Sequence, residues 1–283
     1  MNRLPPKPKT GLRRSLLRVL QLLIIAYLFM VLALLVFQRR LVYFPTKIPA
    51  NVIESVAAEH GFVPWKNPAG QIIGWEMAAR GKADGSVLIV HGNAGCALSR
   101  DYLARPIHEA TNVDVFVLEY PGYGARPGSP GKRSFIAAAE AAFQLLPRNQ
   151  PIYVVSESIG AGVAAELAQC HPAEICGLAL IVPYDNLASV AQRHLSFLPA
   201  YFLLFDRFNP AACLKNYHGP VKFVVAGADE IIGAPSGQRL FAGYQGPKEL
   251  DLIPGAHHNE VASQTAAWWR EVFAFWRQHP NRP

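Results

Sequence analysis

Short runs of β-branched and apolar residues alternate with longer stretches of helical periodicity through most of this 283-residue chain. This alternation predicts βαβ units, in which largely parallel strands form a central sheet flanked by helices. A chain of this length is consistent with one such α/β domain. Seven strands are expected, at Ile72–Ala78, Ser86–His91, Val113–Glu119, Pro151–Ser156, Cys176–Val182, Val221–Ala226 and Glu249–Ile253. Five helices are expected between and after them, at Ser99–Ala110, Ser134–Leu146, Ile159–Cys170, Ser236–Tyr244 and Glu260–Gln278.

The alternation is interrupted over about residues 184–217. This stretch contains Pro199, Pro210 and the apolar run Leu195–Phe205. It predicts a small cap inserted over the sheet. An apolar cap suits an acyl or lipid-like substrate, and the same side chains would equally serve ordinary packing.

An apolar segment precedes the α/β pattern. No residue from Val19 to Phe37 is charged, and Gln21 is the only strongly polar one. At 1.5 Å per residue a helix of this length extends roughly 28 Å, about the thickness of one hydrocarbon core. We therefore expect a transmembrane anchor over residues 19–38, a basic N-terminus over 1–18 and the globular domain over 39–283.

A cleaved signal peptide is the rival interpretation of this segment. The apolar stretch is long for that role, and it ends in Gln38-Arg39-Arg40 rather than in small residues suited to cleavage. Six basic residues precede the span and three follow it closely. This asymmetry predicts an uncleaved signal anchor with a cytoplasmic N-terminus and a domain on the periplasmic or luminal side.

The net charge of +7 is concentrated in the same N-terminal region. Residues 1–53 contain nine Lys or Arg and no acidic residue, which leaves 18 basic and 20 acidic residues for the remainder. The globular part therefore has no positive excess with which to neutralise phosphates, and nucleic acid is not an expected partner.

The four cysteines, Cys96, Cys170, Cys176 and Cys213, have neither disulfide-framework nor zinc-finger spacing. We expect no metal and no cofactor. Cys170 and Cys176 are close enough in sequence to pair in an oxidising compartment, and buried free thiols are the alternative.

The strongest local motif is the pentapeptide Ser156-Glu157-Ser158-Ile159-Gly160, at the junction of a buried strand and a helix rich in small residues. It is a relaxed form of the G-x-S-x-G nucleophile elbow, whose sharp turn needs small residues two before and two after the serine. Ser158 is the predicted nucleophile. The amide of Ile159, at the start of the helix, is a predicted oxyanion donor.

A second oxyanion donor is expected from the loop after an earlier strand. The segment Gly92-Asn93-Ala94-Gly95 follows the predicted strand Ser86–His91, and its glycines allow backbone amides to turn toward a substrate. We assign the amide of Asn93 as this donor. Alternatively, the glycines only shape a strand-to-helix turn.

A serine hydroxyl needs a base, and the base needs an acid that orients it. In this architecture the chain order is serine, acid, histidine. Asp229 follows the strand Val221–Ala226, and His258 follows the last strand. Asp185 is a second candidate for the acid, because it also follows a strand. We favour Asp229 and expect Asp185 to be the N-cap or a first-turn residue of the first helix in the 184–217 insertion.

Together these motifs resemble the α/β-hydrolase superfamily, in particular its N-terminally membrane-anchored α/β-hydrolase-domain-containing proteins and their bacterial relatives. The resemblance spans roughly residues 39–278. It rests on His91–Gly95, Tyr120–Gly124, the serine elbow, Gly227–Glu230, Gly255–Asn259 and the anchor followed by Leu41–Pro45.

The resemblance implies a serine hydrolase in which Ser158, Asp229 and His258 are catalytic, acting on carboxylic esters or thioesters, with a small-molecule or lipid acyl group as substrate. A catalytically silent interaction module, or a peptidase or acyltransferase on the same fold, are the alternatives. Three positions depart from the family pattern: Ser156 replaces a glycine, Arg126 a serine and His257 a glycine.

Overall fold

The computed structural model describes residues 10–281, so the first nine residues of the predicted basic N-terminus lie outside the described part. The chain divides into two compact units, one up to Leu41 and one from Val42 onward. Helix α1 (Thr10–Val42) makes up the described part of the first unit, and its last residue is the first of the second unit. Its segment Arg13–Val42 is long and apolar enough to cross a membrane, by length and composition.

The second unit contains two sheets. The larger has eight strands in the order β10-β9-β8-β7-β4-β6-β3-β2, and β1 and β5 form a separate parallel pair. Strand β3 runs antiparallel to both of its neighbours, and the other pairs are parallel. The strands are β1 (Phe44–Pro45), β2 (Val63–Lys66), β3 (Ile72–Met77), β4 (Ser86–Val90), β5 (Ala94–Gly95), β6 (Asp114–Leu118), β7 (Ile152–Glu157), β8 (Ile175–Ile181), β9 (Val221–Ala226) and β10 (Lys248–Ile253).

Helices cover both faces of the large sheet. Alternate residues of a strand point to opposite faces, so Val154 of β7 lies in one apolar cluster and Val155 in the other. The helices of this unit are α2 (Ile53–Glu59), α3 (Asp101–Ala110), α4 (Lys132–Phe143), α5 (Gly160–Cys170), α6 (Leu187–His194), α7 (Ala200–Leu203), α8 (Pro210–Cys213), α9 (Ala234–Gly243) and α10 (Ala266–Gln278). Two short 3₁₀ turns lie at Ala97–Arg100 and Leu214–Asn216.

All seven predicted strands are present, with ends shifted by one residue at most. The predictions missed β1, β2 and β5. Strands β1 and β5 have two residues each and exist through their pairing with one another, which no local pattern encodes. Strand β2 contains Pro64, a residue that argues against a strand except at a sheet edge, and β2 is an edge strand.

The last helix begins at Ala266, six residues later than the predicted Glu260. Thr265 is its N-cap, and its hydroxyl oxygen accepts a hydrogen bond from the amide of Trp268 at 3.2 Å. Glu260 instead accepts a hydrogen bond from the amide of His257 in the preceding turn. The predicted start of the helix was too early because the apolar periodicity continues through the turn before Thr265. The capping residue marks where the helix begins.

The 184–217 insertion contains the three short helices α6, α7 and α8. Its apolar side chains have two different environments. Phe208 is buried, where it packs against Gly162 of α5. Phe202, in contrast, is 72% exposed, and Tyr201 beside it is 39% exposed. Part of this insertion therefore belongs to the core, and part presents aromatic rings to the outside.

Candidate active site

Ser158 lies on a sharp turn between β7 and α5. Its φ is 52°, and among the described residues only Val182 is another non-glycine with positive φ. The turn is held by a hydrogen bond from the Ser158 amide to the carbonyl of Ile181, at 2.9 Å. A left-handed backbone is costly for serine, and such conformations persist where the surrounding structure enforces them.

Gly160 permits the close packing that this turn requires. A Cβ at this position would lie 2.3 Å from the carbonyl oxygen of Val90 and 2.8 Å from that of His91. The other small residue of the motif, Ser156, fits the strand without a clash. It is buried, and its hydroxyl donates to the carbonyl of Ala179 at 3.3 Å. The departure at Ser156 is thus accommodated by a hydrogen bond across the sheet.

The structure brings Ser158, His258 and Asp229 together from the carboxyl ends of three strands. The Ser158 Oγ lies 3.1 Å from the Nε2 of His258. On the other side of the ring, Nδ1 lies 2.8 Å from the Oδ2 of Asp229. The His258 and Asp229 side chains are only 6% and 3% exposed. With the proton on Nδ1, that nitrogen donates to the carboxylate and Nε2 accepts from the serine hydroxyl.

Asp229 keeps a negative charge in this setting. Burial acts to raise the pKa of Asp229, but hydrogen bonds from His258 and from the amides of Ile232 and Gly233 outweigh it and lower the pKa. The second carboxylate oxygen accepts hydrogen bonds from the amides of Ile231 and Ile232, at 2.9 and 2.7 Å. A carboxylate fixed in this way can orient the imidazole and balance a positive charge on it.

Asp185, the other candidate acid, has a different set of partners. Its carboxylate accepts hydrogen bonds from Ser236 at 2.6 Å and from Arg239 at 2.7 Å, both on α9. The expected capping role was wrong, because the N-cap of α6 is Asn186, which accepts from the amides of Ala188 and Ser189. Asp185 therefore links the start of the insertion to α9.

We expect the amides of Asn93 and Ile159 to be the oxyanion donors. Asn93 lies after the end of β4, and Ile159 lies at the start of α5. Ile159 is the N-cap of α5, immediately after Ser158. Asn93 immediately precedes β5. The Asn93 carbonyl accepts hydrogen bonds from the amide of Phe44 at 2.9 Å and from the hydroxyl of Tyr123 at 2.7 Å.

A buried ion pair lies directly behind the turn, and the sequence did not reveal it. Glu157, the residue before Ser158, pairs with the Nε of Arg100 at 2.7 Å, and both side chains are largely buried. Tyr102 donates to the same carboxylate at 2.8 Å. Arg100 also donates to the carbonyl of Ala94 at 2.7 Å, so it connects the serine turn to the loop containing Asn93.

Three other residues singled out in the sequence, His91, Arg126 and His257, have partners other than the three central side chains. Burial lowers the pKa of His91, and its Nδ1 donates to the carbonyl of Gly92 at 2.7 Å. Arg126, a departure from the family pattern, donates to the carbonyls of Ile73 and Glu119. The remaining departure, His257, is 59% exposed and pairs with Glu230 at 3.1 Å.

Among the described residues no group of three or more His, Cys, Asp or Glu side chains is arranged to hold a metal ion. All four cysteines are free thiols, Cys96 and Cys213 buried, Cys170 exposed and Cys176 half-buried.

A mostly parallel sheet flanked by helices, with a serine on a sharp strand-to-helix turn facing a histidine, defines a hydrolase-type α/β architecture. The profile of the family described as alpha/beta hydrolase fold matches residues 85–257. The chain belongs to that family.

Known relatives and solved structures agree with this assignment. An uncharacterized protein of Mycobacterium tuberculosis is 33% identical over 230 residues, 79% of this chain and 81% of that protein. The human alpha/beta hydrolase domain-containing protein 17B is 26% identical over 62% of this chain and 61% of its own length. Lysophosphatidylserine lipase ABHD12 of Gallus gallus is 30% identical over 51% of this chain and 40% of its own length.

Among solved structures, the Pyrococcus furiosus esterase Pf2001 has a TM-score of 0.61 at 16% identity, covering 83% of this chain and 99% of that one. A monoacylglycerol lipase of Paleococcus ferrophilus has a TM-score of 0.55 at 19% identity, covering 73% and 99%. At these identities the likeness establishes the fold. A hydrolase fold with esterase and lipase neighbours supports hydrolase activity.

Proposed function

We propose that this protein is a membrane-anchored serine hydrolase that cleaves carboxylic ester or thioester bonds of acyl lipids. The observation that carries the proposal is the hydrogen-bonded series Ser158–His258–Asp229, with separations of 3.1 and 2.8 Å. Serine, base and orienting acid within hydrogen-bonding distance form the arrangement that nucleophilic catalysis by serine requires.

In the acylation step, the Ser158 Oγ attacks the acyl carbon while its proton passes to the Nε2 of His258. The substrate's carbonyl oxygen becomes an oxyanion, which the amides of Asn93 and Ile159 stabilise. The intermediate collapses by breaking the bond to the alcohol or thiol, and the protonated His258 gives its proton to that leaving group.

In the deacylation step, His258 removes a proton from water, and the resulting hydroxide attacks the acyl-enzyme carbon. Breaking the bond to the Ser158 Oγ releases the carboxylic acid, and the serine recovers its proton from His258. Asp229 stays ionised in both steps, in keeping with its lowered pKa, and balances the charge on the imidazolium.

Three observations favour acyl lipids over small soluble esters. The chain contains a helix long and apolar enough to span a bilayer. The insertion exposes Phe202 and Tyr201, which suit contact with acyl chains or a lipid surface. A lysophosphatidylserine lipase and a monoacylglycerol lipase are among the proteins that this chain resembles.

The test is covalent labelling with an active-site-directed fluorophosphonate, combined with hydrolysis of a p-nitrophenyl ester and of a monoacylglycerol. We expect Ser158→Ala to abolish labelling and both activities. Ser156→Ala is the matched control: it loses one buried hydrogen bond, about 1 kcal/mol of stability, and keeps labelling and activity. Undiminished labelling of Ser158→Ala would contradict the proposal, as would an inert wild-type protein, the result expected of a silent interaction module.

A further inference from the structure

The last residue of helix α1 and the residues directly after it lie against the loop that contains Asn93. We name these residues, Val42–Lys47, the post-helix segment. Its strand β1 pairs in parallel with β5, with Phe44 opposite Ala94 and Pro45 opposite Gly95. Two amides of the segment donate to the loop: Phe44 to the carbonyl of Asn93 at 2.9 Å, and Thr46 to the carbonyl of Gly95 at 2.7 Å.

The loop also bonds back to the segment. The side-chain Nδ2 of Asn93 donates to the carbonyl of Val42 at 2.7 Å. Both the side chain and the carbonyl of Asn93 are thus held by the post-helix segment, which restricts the rotation of that residue. No other strand supports this side of the loop among residues 42–281, because β5 pairs with β1 alone.

The post-helix segment is itself fixed to the domain. Tyr43 is 4% exposed, and its ring contacts that of Phe135 at a centroid distance of 5.1 Å. Further along, Gly124 donates to the carbonyl of Thr46 at 2.9 Å, and Ile48 donates to that of Gly124 at 3.2 Å. The buried Tyr43 ring near one end of the segment and the backbone hydrogen bonds near the other end fix the segment to the domain.

We propose that the post-helix segment is a positioning element of the active site, which sets the Asn93 amide for the oxyanion. This inference rests on the proposed function. Because Val42 ends helix α1 and is also the acceptor for Asn93, the anchor and the oxyanion loop are joined through one short stretch of chain.

The first experiment compares Asn93→Ala with Asn67→Ala in the full-length protein in detergent. Asn93→Ala keeps the backbone amide and removes only the bond to Val42. Asn67→Ala is the control, because the Asn67 side chain also bonds to the backbone. Its oxygen accepts from the amides of Ala69 and Gln71 in an exposed turn. The assay is steady-state hydrolysis of p-nitrophenyl butyrate over a range of pH, with the melting temperature measured in parallel.

We expect Asn93→Ala to lower kcat by about 10- to 100-fold. This is less than the reduction in kcat that follows complete removal of an oxyanion donor, because the amide itself remains. KM should change less than about twofold, because a donor that acts in the transition state affects kcat and kcat/KM together. The midpoint of the pH profile should not move, since His258 and Asp229 keep their contacts. In Asn67→Ala, kcat should stay within about twofold of wild type. An Asn93→Ala protein with wild-type kcat would overturn the proposal.

The second experiment is amide hydrogen exchange, which does not depend on activity. The amides of Phe44 and Thr46 should be protected in the wild type and in Asn67→Ala, and they should exchange faster in Asn93→Ala. Rapid exchange of both amides in the wild type would also overturn the proposal. If the wild type neither labels nor hydrolyses an ester, the proposed function fails, and the exchange data still decide whether the segment holds the loop.

Discussion

At the scale of single residues, Ser158 and its two partners are held by backbone as much as by side chains. The φ of 52° at Ser158 places its side chain at the end of β7, toward His258. Two amides, those of Ile231 and Ile232, fix one oxygen of Asp229 and leave the other for the imidazole. Small rotations of these side chains are therefore resisted before any substrate binds, which is the preorganisation that the proposed catalysis requires.

Replacing Asp229 by Asn tests the role of its charge. We expect Asp229→Asn to remain folded and to lower kcat by about 10³- to 10⁴-fold, because the imidazole loses both its orientation and its counter-charge. His257→Ala is the control, since His257 is exposed and pairs with Glu230; it should keep its turnover. The measurement is turnover of a short p-nitrophenyl ester alongside the melting temperature. Loss of turnover in His257→Ala rather than Asp229→Asn would mean that the base has been misassigned.

At the scale of elements, the packing of α5 against β4 determines the geometry of the serine turn. Gly160, the first residue of α5, allows the helix to approach the carbonyls of Val90 and His91. Gly243, the last residue of α9, has nothing within 4 Å of where a Cβ would lie. The two glycines therefore offer a matched comparison.

We expect Gly160→Ala to abolish fluorophosphonate labelling and lower the melting temperature, because a Cβ 2.3 Å from a backbone oxygen forces the helix away from the sheet. Gly243→Ala should label normally and be as stable as the wild type or up to about 1 kcal/mol more stable. Labelling and thermal denaturation of both variants check this. Normal labelling of Gly160→Ala would show that the turn tolerates a wider separation of strand and helix.

Asp185 connects two other elements, the start of α6 and helix α9. Burial acts to raise the pKa of Asp185, but hydrogen bonds from Arg239 and Ser236 outweigh it and lower the pKa. A carboxyl whose folded pKa is lowered stabilises the protein above its unfolded pKa of about 3.9, and this stabilisation is lost as the pH falls through the folded pKa.

Asp185→Asn should therefore reduce stability at neutral pH by about 0.5–1 kcal/mol, a modest loss because Arg239 is largely exposed. The difference from wild type should shrink as the pH falls below about 4. Turnover should be unchanged. Chemical denaturation at several pH values, together with ester hydrolysis, measures both effects. Severe loss of turnover would return Asp185 to consideration as the acid.

At the scale of the whole molecule, the proposal of a membrane anchor makes a prediction about deletion and topology. Removal of residues 1–40 should leave a folded and active soluble domain, because the post-helix segment stays intact and the second unit begins at Val42. In the full-length protein, protease protection should place the domain outside the cytoplasm, as the excess of basic residues before the span predicts. A C-terminal tag reporting from the cytoplasm would reverse the predicted orientation.

Much of the architecture followed from the sequence because its determinants are local. The strands β4 and β7–β9 are largely apolar, buried runs bounded by turns, and a parallel sheet brings the carboxyl ends of its strands to one edge. That rule, together with the expected chain order of serine, acid and histidine, grouped Ser158 and His258 with two candidate acids, Asp229 and Asp185. The mostly parallel sheet was predicted correctly on the same basis, and the family was predicted correctly from the resemblance of its motifs.

Other features depended on contacts between residues distant in the chain. The sequence contains no signal that pairs Phe44 with Ala94, or Arg100 with Glu157, since neither pair is related by a local period. We predicted that Asp185 caps a helix because a carboxylate near the start of a helix usually does so. Its carboxylate instead accepts a hydrogen bond from Arg239 of α9, a residue distant in the chain. Local periodicity and turn chemistry thus determined the strands and helices and the residues expected at the site. Which residues support the site was decided by packing between segments distant in the chain.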